Sequence, residues 1–302
     1  MRYFLNRAKL IARAFRTTSP SKTLEAKENR DGAGELTVYI PTCDANIFAV
    51  KYFQYFFNKY WDQNIKVKIL GFSAPDFQLE KNFEFVSLGR EQVNNAKGWS
   101  NYLIPYFKEL KCDYFIFGID DFMIARPVDL EVVEAAKSLM NKSIGRIDLQ
   151  PLQYARNKKL FSPYAEVSGI KFFKMAQKQR FGKNLYRNAG AFSIWNREWF
   201  LKNIRPDWSP WDWEVLGSKM SENDGFEVIG SYDRFAIKKS ELLSNQWPGI
   251  INTLGLREND IEVMRRMVSP EDRIKLFQSF GSDKFGYAEF AGENWVEVLY
   301  GK

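Results

Sequence analysis

Two adjacent carboxylates, Asp120 and Asp121, end a short apolar run that is typical of a buried β-strand. The run, residues 113–119, is rich in aromatic and β-branched side chains, which predict a strand. In an open α/β sheet, ligands bind beyond the carboxyl ends of the strands. Two neighbouring carboxylates repel each other unless a cation shares the site. The pair therefore predicts a Mg²⁺ or Mn²⁺ site that carries a phosphate; the alternative is a strand-end turn with two solvated aspartates.

The chain on either side of this pair alternates between strand-like and helix-like segments. Apolar residues spaced by three and four predict helices, and short runs of β-branched and aromatic residues predict strands. The predicted strands are residues 35–41, 66–71, 84–88 and 113–119, and the predicted helices are residues 46–60, 99–110, 129–141, 198–204, 212–221, 257–267 and 270–277. This alternation predicts an α/β fold with a mostly parallel central sheet, helices on both faces and an elaborated C-terminal half.

The composition divides the 302-residue chain into three predicted parts. Residues 1–34 form a basic arm and linker, residues 35–250 form the α/β domain, and residues 251–302 form a helical extension packed on that domain. Residues 1–24 contain six Lys and Arg residues and no acid, so the rest of the chain carries only one of the seven net positive charges. The nearly neutral body argues against nucleic acid as a partner.

Residues 1–16 predict a basic amphipathic helix. Apolar side chains at Phe4, Ala8, Ile11 and Phe15 recur at helical spacing, and basic side chains cluster on the opposite side. Such a helix can lie on an anionic membrane surface; the alternatives are a helix packed on the body or a flexible tail. Neither a membrane-spanning run nor a secretory signal is evident, so we expect a cytoplasmic protein that contacts the membrane peripherally.

The chain contains no histidine and only two cysteines, Cys43 and Cys112. The lack of histidine excludes histidine bases, histidine metal ligands and every Ser-His-Asp or Cys-His scheme. The two cysteines are far apart and match no zinc or redox spacing, so buried thiols in a reducing compartment are expected. Acid–base and metal chemistry must therefore fall to carboxylates, lysine, tyrosine, the backbone or water.

Two further motifs predict contacts with a nucleotide and its phosphates. Thr42 and Asp44 follow the first predicted strand, where a base or ribose could rest, although Asp44 also suits the N-cap of the next helix. Lys183 and Arg187 could meet a diphosphate, and Gly190 would let a sugar approach the backbone closely. For Lys183 the alternative is a solvated surface loop. No Gly-rich phosphate loop is present, which excludes P-loop and dinucleotide-binding fingerprints.

A third motif places carboxylates among three tryptophans just before a predicted helix. Trp211 and Trp213 could stack on a sugar acceptor, while Glu214 or Asp212 could take the proton of its hydroxyl group. A purely structural interpretation accounts for part of the same motif. Ser209 suits an N-cap, the proline after it suits the first helical position, and Asp212 suits the first turn.

The order of these motifs resembles that of GT-A-fold nucleotide-sugar glycosyltransferases, more specifically poorly characterised bacterial and viral members associated with surface polysaccharide genes. The segments that carry the resemblance are Thr42-Cys43-Asp44 after the first strand, the apolar strand that leads into Asp120-Asp121, Asn188–Trp195, and Trp211–Glu214. The resemblance covers about residues 35–250. The arm and the last 50 residues lie outside it.

The resemblance implies that a sugar passes from a nucleoside diphosphate-sugar to a hydroxyl group on a glycan or lipid-linked acceptor, in polysaccharide synthesis. It implies a site like the Asp-x-Asp motif, with Asp121 on Mn²⁺ or Mg²⁺ and Asp120 on the metal or the donor ribose. Ile119 replaces the first acid of the strict motif. The resemblance also implies that Glu214 is the base that activates the acceptor, with Asp212 as the second candidate.

Two other functions stay open at this point. A sugar nucleotidyltransferase can share such a sheet, but it normally needs a Gly- and Arg-rich loop after the first strand, which residues 41–44 do not provide. A non-catalytic carbohydrate-binding protein would use the tryptophans to stack on sugars.

Overall fold

The computed structural model describes residues 35–90, 98–120, 122–152, 160–178 and 186–237, the backbone of residues 239–241, and Met267 and Glu271. The predictions for the basic arm and for almost all of the C-terminal extension lie outside these residues. Met267 is helical, and its partly buried side chain packs against the apolar core. No helix in the described part of the chain is long and apolar enough to cross a bilayer.

A nine-stranded sheet forms the centre of the fold, and two further strands of the described part of the chain pair with each other. The strands are β1 (Val38–Pro41), β2 (Val67–Gly71), β3 (Phe83–Ser87), β4 (Tyr114–Phe117), β5 (Phe122–Ile124), β6 (Ile144–Asp148), β7 (Phe161–Val167), β8 (Ile170–Met175), β9 (Ser193–Asn196), β10 (Glu227–Gly230) and β11 (Lys239–Glu241). The order in the sheet is β3-β2-β1-β4-β9-β6-β10-β8-β7, and β5 pairs separately with β11. All strands of the large sheet except β8 and β9 run in one direction. The predicted α/β fold with a mostly parallel sheet is confirmed.

Helices cover both faces of this sheet. They are α1 (Ala49–Tyr60), α2 (Trp99–Glu109), α3 (Leu130–Leu139), α4 (Arg197–Lys202), α5 (Pro210–Asp212) and α6 (Ser218–Met220), with a π-helical turn, Trp213–Gly217, between the last two. Successive residues of a strand face opposite sides. Val38 and Ile40 of β1 therefore join one apolar cluster with α1 and α3, whereas Tyr39 joins a second cluster with α2 and α4.

One edge of the sheet gathers the carboxyl ends of its parallel strands. The residues that lie opposite one another near this edge, in β1, β4, β9 and β6, are Tyr39, Phe117, Ser193 and Asp148. Thr42 follows Tyr39 by three residues, and Asp120 follows Phe117 by three. The register therefore places Thr42 beside Asp120, just beyond the strand ends, where ligands bind in folds of this class.

Gly145 in β6 lies against the indole ring of Trp199, and a Cβ atom at residue 145 would overlap that ring. Trp199 is fully buried and its Nε1 donates to Oδ2 of Asp224 at 2.7 Å, so the ring has little freedom to move. We expect Gly145→Ala to lower the free energy of unfolding by about 1–3 kcal/mol, the usual cost of overpacking. Urea unfolding followed by tryptophan fluorescence measures this change. Gly98→Ala is the control, because the nearest atom to its added Cβ would be Cε2 of Tyr102 at 3.9 Å; equal losses would contradict the prediction.

Candidate active site

Asp120 lies just beyond β4 with 8% of its surface exposed. The hydroxyl group of Thr42, just beyond β1, donates to Oδ2 of Asp120 at 2.6 Å. A buried carboxylate loses hydration and needs such donors to stay in place. Two residues predicted to bind the donor therefore meet at the edge of the sheet, and the aspartate is held in one orientation there.

Asp44 joins the loops that follow β1 and β2. Its two carboxylate oxygens accept hydrogen bonds from the backbone N–H and the hydroxyl group of Ser73, both at 2.8 Å. Helix α1 begins at Ala49 and not near Asn46, and no side chain caps it at Phe48. The prediction that Asp44 is an N-cap is therefore corrected: its carboxylate binds a loop 29 residues further along the chain.

Gly190 and Glu214 form the second half of the site. The backbone N–H of Gly190 donates to Oε1 of Glu214 at 2.7 Å, which fixes the direction of a half-buried carboxylate. A Cβ atom at residue 190 would lie 3.1 Å from Cγ2 of Ile119, the residue before Asp120. The glycine therefore permits the close approach of this segment to the end of β4. Gly190 and Glu214, singled out from separate motifs, therefore lie together beside the residue that precedes Asp120.

Hydrogen bonds fix the helical segment that carries Glu214. The backbone N–H of Asn188 donates to Oγ of Ser218 at 2.9 Å, and Nε of Arg187 donates to Oγ of Ser221 at 3.0 Å. Glu214, Ser218 and Ser221 are separated by four and three residues, so they share one side of the segment. Sequence reasoning assigned no role to the two serines, although their spacing from Glu214 was a usable signal.

Glu214 lies in the π-helical turn between α5 and α6. Such turns are rare and occur frequently at functional sites. Gly217, in the same turn, lies so close to the Asn188 side chain and the Asn203 carbonyl group that a Cβ atom would overlap both. The glycine thus lets the turn approach the segment before β9, and this approach brings Glu214 within reach of Gly190.

Arg187, predicted to bind a diphosphate, is completely buried. Its guanidinium group donates to the carbonyl groups of Ala176 and Phe226 at 3.3 and 2.8 Å and lies 3.7 Å from Oδ1 of Asp224. Burial lowers the pKa of Arg187 to about 10, and the charge of Asp224 opposes that change. Its hydrogen bonds are directed into the interior, so the structure corrects the prediction and gives Arg187 a structural role.

Trp213, predicted to shape an acceptor pocket, is a core residue with 1% of its surface exposed. Its ring centroid lies 5.3 Å from that of Trp195 and 5.5 Å from that of Phe200, in the second apolar cluster. The prediction for Trp213 is therefore corrected. Trp211, two residues earlier, lies on the outer side of the helix with 59% of its surface exposed, and its contact with an acceptor sugar stays a prediction.

Asp212 closes the start of α5. The N–H and the hydroxyl group of Ser209 donate to Oδ2 of Asp212 at 3.1 and 2.7 Å, and the N–H of Asp212 donates back to Oγ of Ser209 at 3.1 Å. Together with Pro210 at the first helical position, this is a capping box. The helix-start interpretation is confirmed, whereas the roles of Asp212 and Glu214 as bases stay predictions.

Of the two aspartates predicted to bind a divalent metal, Asp120 is the one that the structure describes. Among the residues that the structure describes, no three His, Cys, Asp or Glu side chains form a group that could hold a metal ion. Asp121 and Lys183 both lie outside the described residues. Mg²⁺ commonly binds through one or two carboxylates, with water and substrate phosphates as its other ligands. Asp120 fits that kind of site; it does not fit a cage made by protein alone.

Neither a protein-family model nor a curated protein sequence matches this chain. Similar solved structures include the mannosyltransferase PcManGT from Pyrobaculum calidifontis in complex with GDP-Man and Mn²⁺, at 10% identity and a TM-score of 0.45, over 98% of this chain and 79% of that one. Residues 1–349 of S. aureus TarS match at 10% identity and a TM-score of 0.43, over 88% of this chain and 81% of that one. A longer TarS structure matches at 12% and 0.44, over 88% and 48%.

The first of these solved structures is a mannosyltransferase. At TM-scores below 0.5, the likeness carries no correspondence between residues, donors or metals.

Proposed function

We propose that this protein is a glycosyltransferase that moves a sugar from a nucleoside diphosphate donor to a hydroxyl group of a glycan or lipid-linked acceptor. The observation that supports this function is the convergence of Thr42, Asp120, Gly190 and Glu214 at the carboxyl edge of the sheet. Asp120 would meet the diphosphate and its metal, and Glu214 would act as the base.

Glu214 would take the proton of the acceptor hydroxyl group. As the acceptor oxygen bonds to the anomeric carbon, the bond from that carbon to the diphosphate oxygen breaks. Its electron pair leaves with the nucleoside diphosphate. The N–H of Gly190 would hold the Glu214 carboxylate in position during this step. A direct displacement of this kind inverts the configuration of the anomeric carbon.

The donor would bind across the ends of β1 and β4. Asp120 and Asp121 would hold Mn²⁺ or Mg²⁺, and the Thr42 hydroxyl group would keep Asp120 oriented. When bound, the metal ion neutralises charge that develops on the departing diphosphate. Asp44, in the loop after β1, would lie beside the ribose or base. Lys183 stays a candidate for the diphosphate.

The acceptor would approach from the side of α5. Trp211 is exposed three residues before Glu214 and would offer its ring to a sugar. Residues 1–16 would bring the protein to an anionic membrane surface, where a lipid-linked acceptor lies. This combination suits a role in surface polysaccharide synthesis.

A panel of nucleotide sugars, incubated with Mn²⁺ or Mg²⁺ and simple acceptor glycosides, tests the proposed function. We expect at least one donor to release its nucleoside diphosphate and to form a new glycoside. Release of pyrophosphate from a nucleoside triphosphate and a sugar phosphate would instead identify a nucleotidyltransferase. Glycan binding without any affinity for nucleotide or metal would identify a non-catalytic carbohydrate-binding protein.

Cys43 offers a probe of the donor site that is independent of turnover. Cys43 directly follows Thr42, whereas Cys112 precedes β4 at the opposite edge of the sheet; neither forms a disulfide. Both are half-buried, which corrects the expectation of fully buried thiols. With a nucleoside diphosphate at ten times its Kd in the presence of Mn²⁺, we expect the alkylation of Cys43 by a maleimide to slow about tenfold.

Cys112 is the internal control, and its alkylation rate should not respond to the nucleotide. Burial raises the pKa of the Cys112 thiol, so we expect it to react more slowly than an ordinary cysteine at neutral pH. Mass spectrometry of the two cysteine-containing peptides over time measures both rates. Equal protection of both cysteines, or protection of neither, would contradict a donor site beside Thr42.

A further inference from the structure

Arg146 and Asp148 form a buried ion pair in β6 that contacts both ends of residues 186–193, hereafter the Gly190 segment. Nη2 of Arg146 lies 3.0 and 3.1 Å from the two carboxylate oxygens of Asp148. Arg146 is 2% exposed and Asp148 is 8% exposed. Residues two apart in a strand face the same side, so both side chains reach the Gly190 segment from one face of the sheet.

Each member of the pair holds one end of this segment. Nη2 of Arg146 donates to the carbonyl group of Tyr186 at 3.2 Å. Oγ of Ser193 donates to Oδ1 of Asp148 at 2.9 Å and lies 3.0 Å from the carbonyl oxygen of Ala191, next to the glycine. Tyr186 has a φ of 48°, which a residue other than glycine keeps only where its surroundings fix it. The ion pair therefore fixes where the Gly190 segment begins and where it ends.

Stability alone does not account for this pair. Two buried charges lose their water, and their attraction repays that cost only when their other polar groups are also satisfied. Within the described part of the chain, Nε and Nη1 of Arg146 have no hydrogen-bond partner. Burial raises the pKa of Asp148, and the charge of Arg146 opposes that rise. Apolar residues of similar volume are often at least as stable as such a pair, so its contacts with the Gly190 segment offer the better explanation.

Gly190 lies between the two fixed ends, four residues after Tyr186 and three before Ser193. Its N–H donates to Oε1 of Glu214 at 2.7 Å. Peptide units are planar, so the direction of this N–H follows from the course of the backbone through the segment.

We propose that the Arg146–Asp148 pair positions the N–H of Gly190 and, through it, the carboxylate of Glu214 for the transfer step. Arg146 and Asp148 are positioning residues: they act through Glu214 and touch neither the sugar nor the nucleotide. The effect on transfer rests on the proposed function, whereas the hold on Gly190 and Glu214 does not.

Hydrogen exchange of the Gly190 amide, followed by ¹H–¹⁵N NMR, reports this hold without any sugar transfer. The test variant is Arg146→Met/Asp148→Leu, which removes both charges at similar volume and leaves neither alone in the interior. We expect its Gly190 amide to exchange about tenfold faster, while the midpoint of urea unfolding stays close to that of wild type. Exchange of the amides in β2, on the other side of β1 and β4, corrects for any change in global stability.

A double-mutant cycle with Glu214→Gln separates positioning from a general loss of structure. With Glu214 present, the Arg146→Met/Asp148→Leu variant should lower kcat about 10–100-fold and leave the KM for the donor unchanged, because the base is misplaced. In the Glu214→Gln background the same change should lower kcat less than about twofold, since no base is left to position. A general loss of structure would lower kcat by the same factor in both backgrounds.

Two further variants support this test. Lys174→Met/Glu227→Leu is the control, because it removes another ion pair of the same sheet, 3.3 Å long, between β8 and β10. It should leave Gly190 exchange and kcat close to those of wild type. Ser193→Ala keeps the Arg146–Asp148 pair and removes only the hydroxyl bond to Asp148. It should speed up Gly190 exchange about two- to fivefold, and it decides the question if the charge-free variant does not fold.

The outcomes separate this positioning role from the proposed function. Wild-type exchange of Gly190 in both the charge-free variant and Ser193→Ala would overturn the role. Equal losses of kcat in the two backgrounds of the cycle would overturn it as well. Faster exchange of Gly190 in a protein that turns over no nucleotide sugar would overturn the glycosyltransferase function and retain the hold on Gly190 and Glu214.

Discussion

Glu214→Gln is expected to lower kcat for sugar transfer by about 10²–10⁴-fold, the usual contribution of a general base. The amide cannot take a proton from the acceptor, although its oxygen can still accept the hydrogen bond from Gly190. Folding and donor affinity should therefore stay close to those of the wild type. Steady-state transfer to a glycoside acceptor, together with the Kd of the nucleoside diphosphate, measures both expectations.

Asp212→Asn is the control for this variant. Asp212 closes a capping box with Ser209, so its replacement should cost about 0.5–2 kcal/mol of stability and leave kcat nearly unchanged. The two carboxylates lie two residues apart in the same segment, which makes the comparison sharp. A large loss of kcat in Asp212→Asn with little loss in Glu214→Gln would transfer the role of base to Asp212.

Asp120→Asn is expected to lower kcat by about 10²–10³-fold and to weaken the response of turnover to Mn²⁺. The substitution removes the charge that would hold the metal and the diphosphate, while its amide oxygen can still accept from Thr42. Titration of activity with Mn²⁺ and Mg²⁺ measures the change. Asp113→Asn, at the opposite and exposed end of the same strand, is the matched control.

A substitution of Thr42 tests the same site as Asp120→Asn with a smaller expected effect. Thr42→Val removes the donor to Asp120 but keeps both the shape of the side chain and the carboxylate, so metal affinity should fall by about 10–100-fold. Full turnover and an unchanged metal response in Asp120→Asn would show that the carboxylate at the end of β4 has no part in the reaction.

The first half of the fold could be predicted from the sequence because its signals are local. The apolar periodicity of α2 and the aromatic and β-branched run of β4 gave their bounds to within about two residues. Glu214 and Gly190 were also identified, each from its own motif. Their hydrogen bond spans 24 residues and depends on the antiparallel placement of β9 between β4 and β6, which no local pattern specifies.

Trp213 and Arg187 were corrected for the same reason, which is that composition does not show which side of an element faces the core. Trp213 and Trp211 look equivalent in the sequence, yet one is buried and the other exposed. Arg187 looks like a phosphate ligand until its partners around Asp224 are known. The buried ion pair between Arg146 and Asp148 of β6 could have been predicted, because charged residues two apart in an apolar strand face the same side.

The direction of the Glu214 side chain depends on the number of residues in the π-helical turn as well as on their chemistry. A turn of this kind holds one residue more than a regular α-turn. Val215 and Leu216 have exposed side chains, so the loss of either would remove little of the core. The turn would then become a regular α-turn, so the helix on either side would keep its phase, whereas Glu214, inside the turn, would change its direction relative to Gly190. Single-residue insertions and deletions here would therefore redirect the carboxylate more effectively than most amino-acid exchanges.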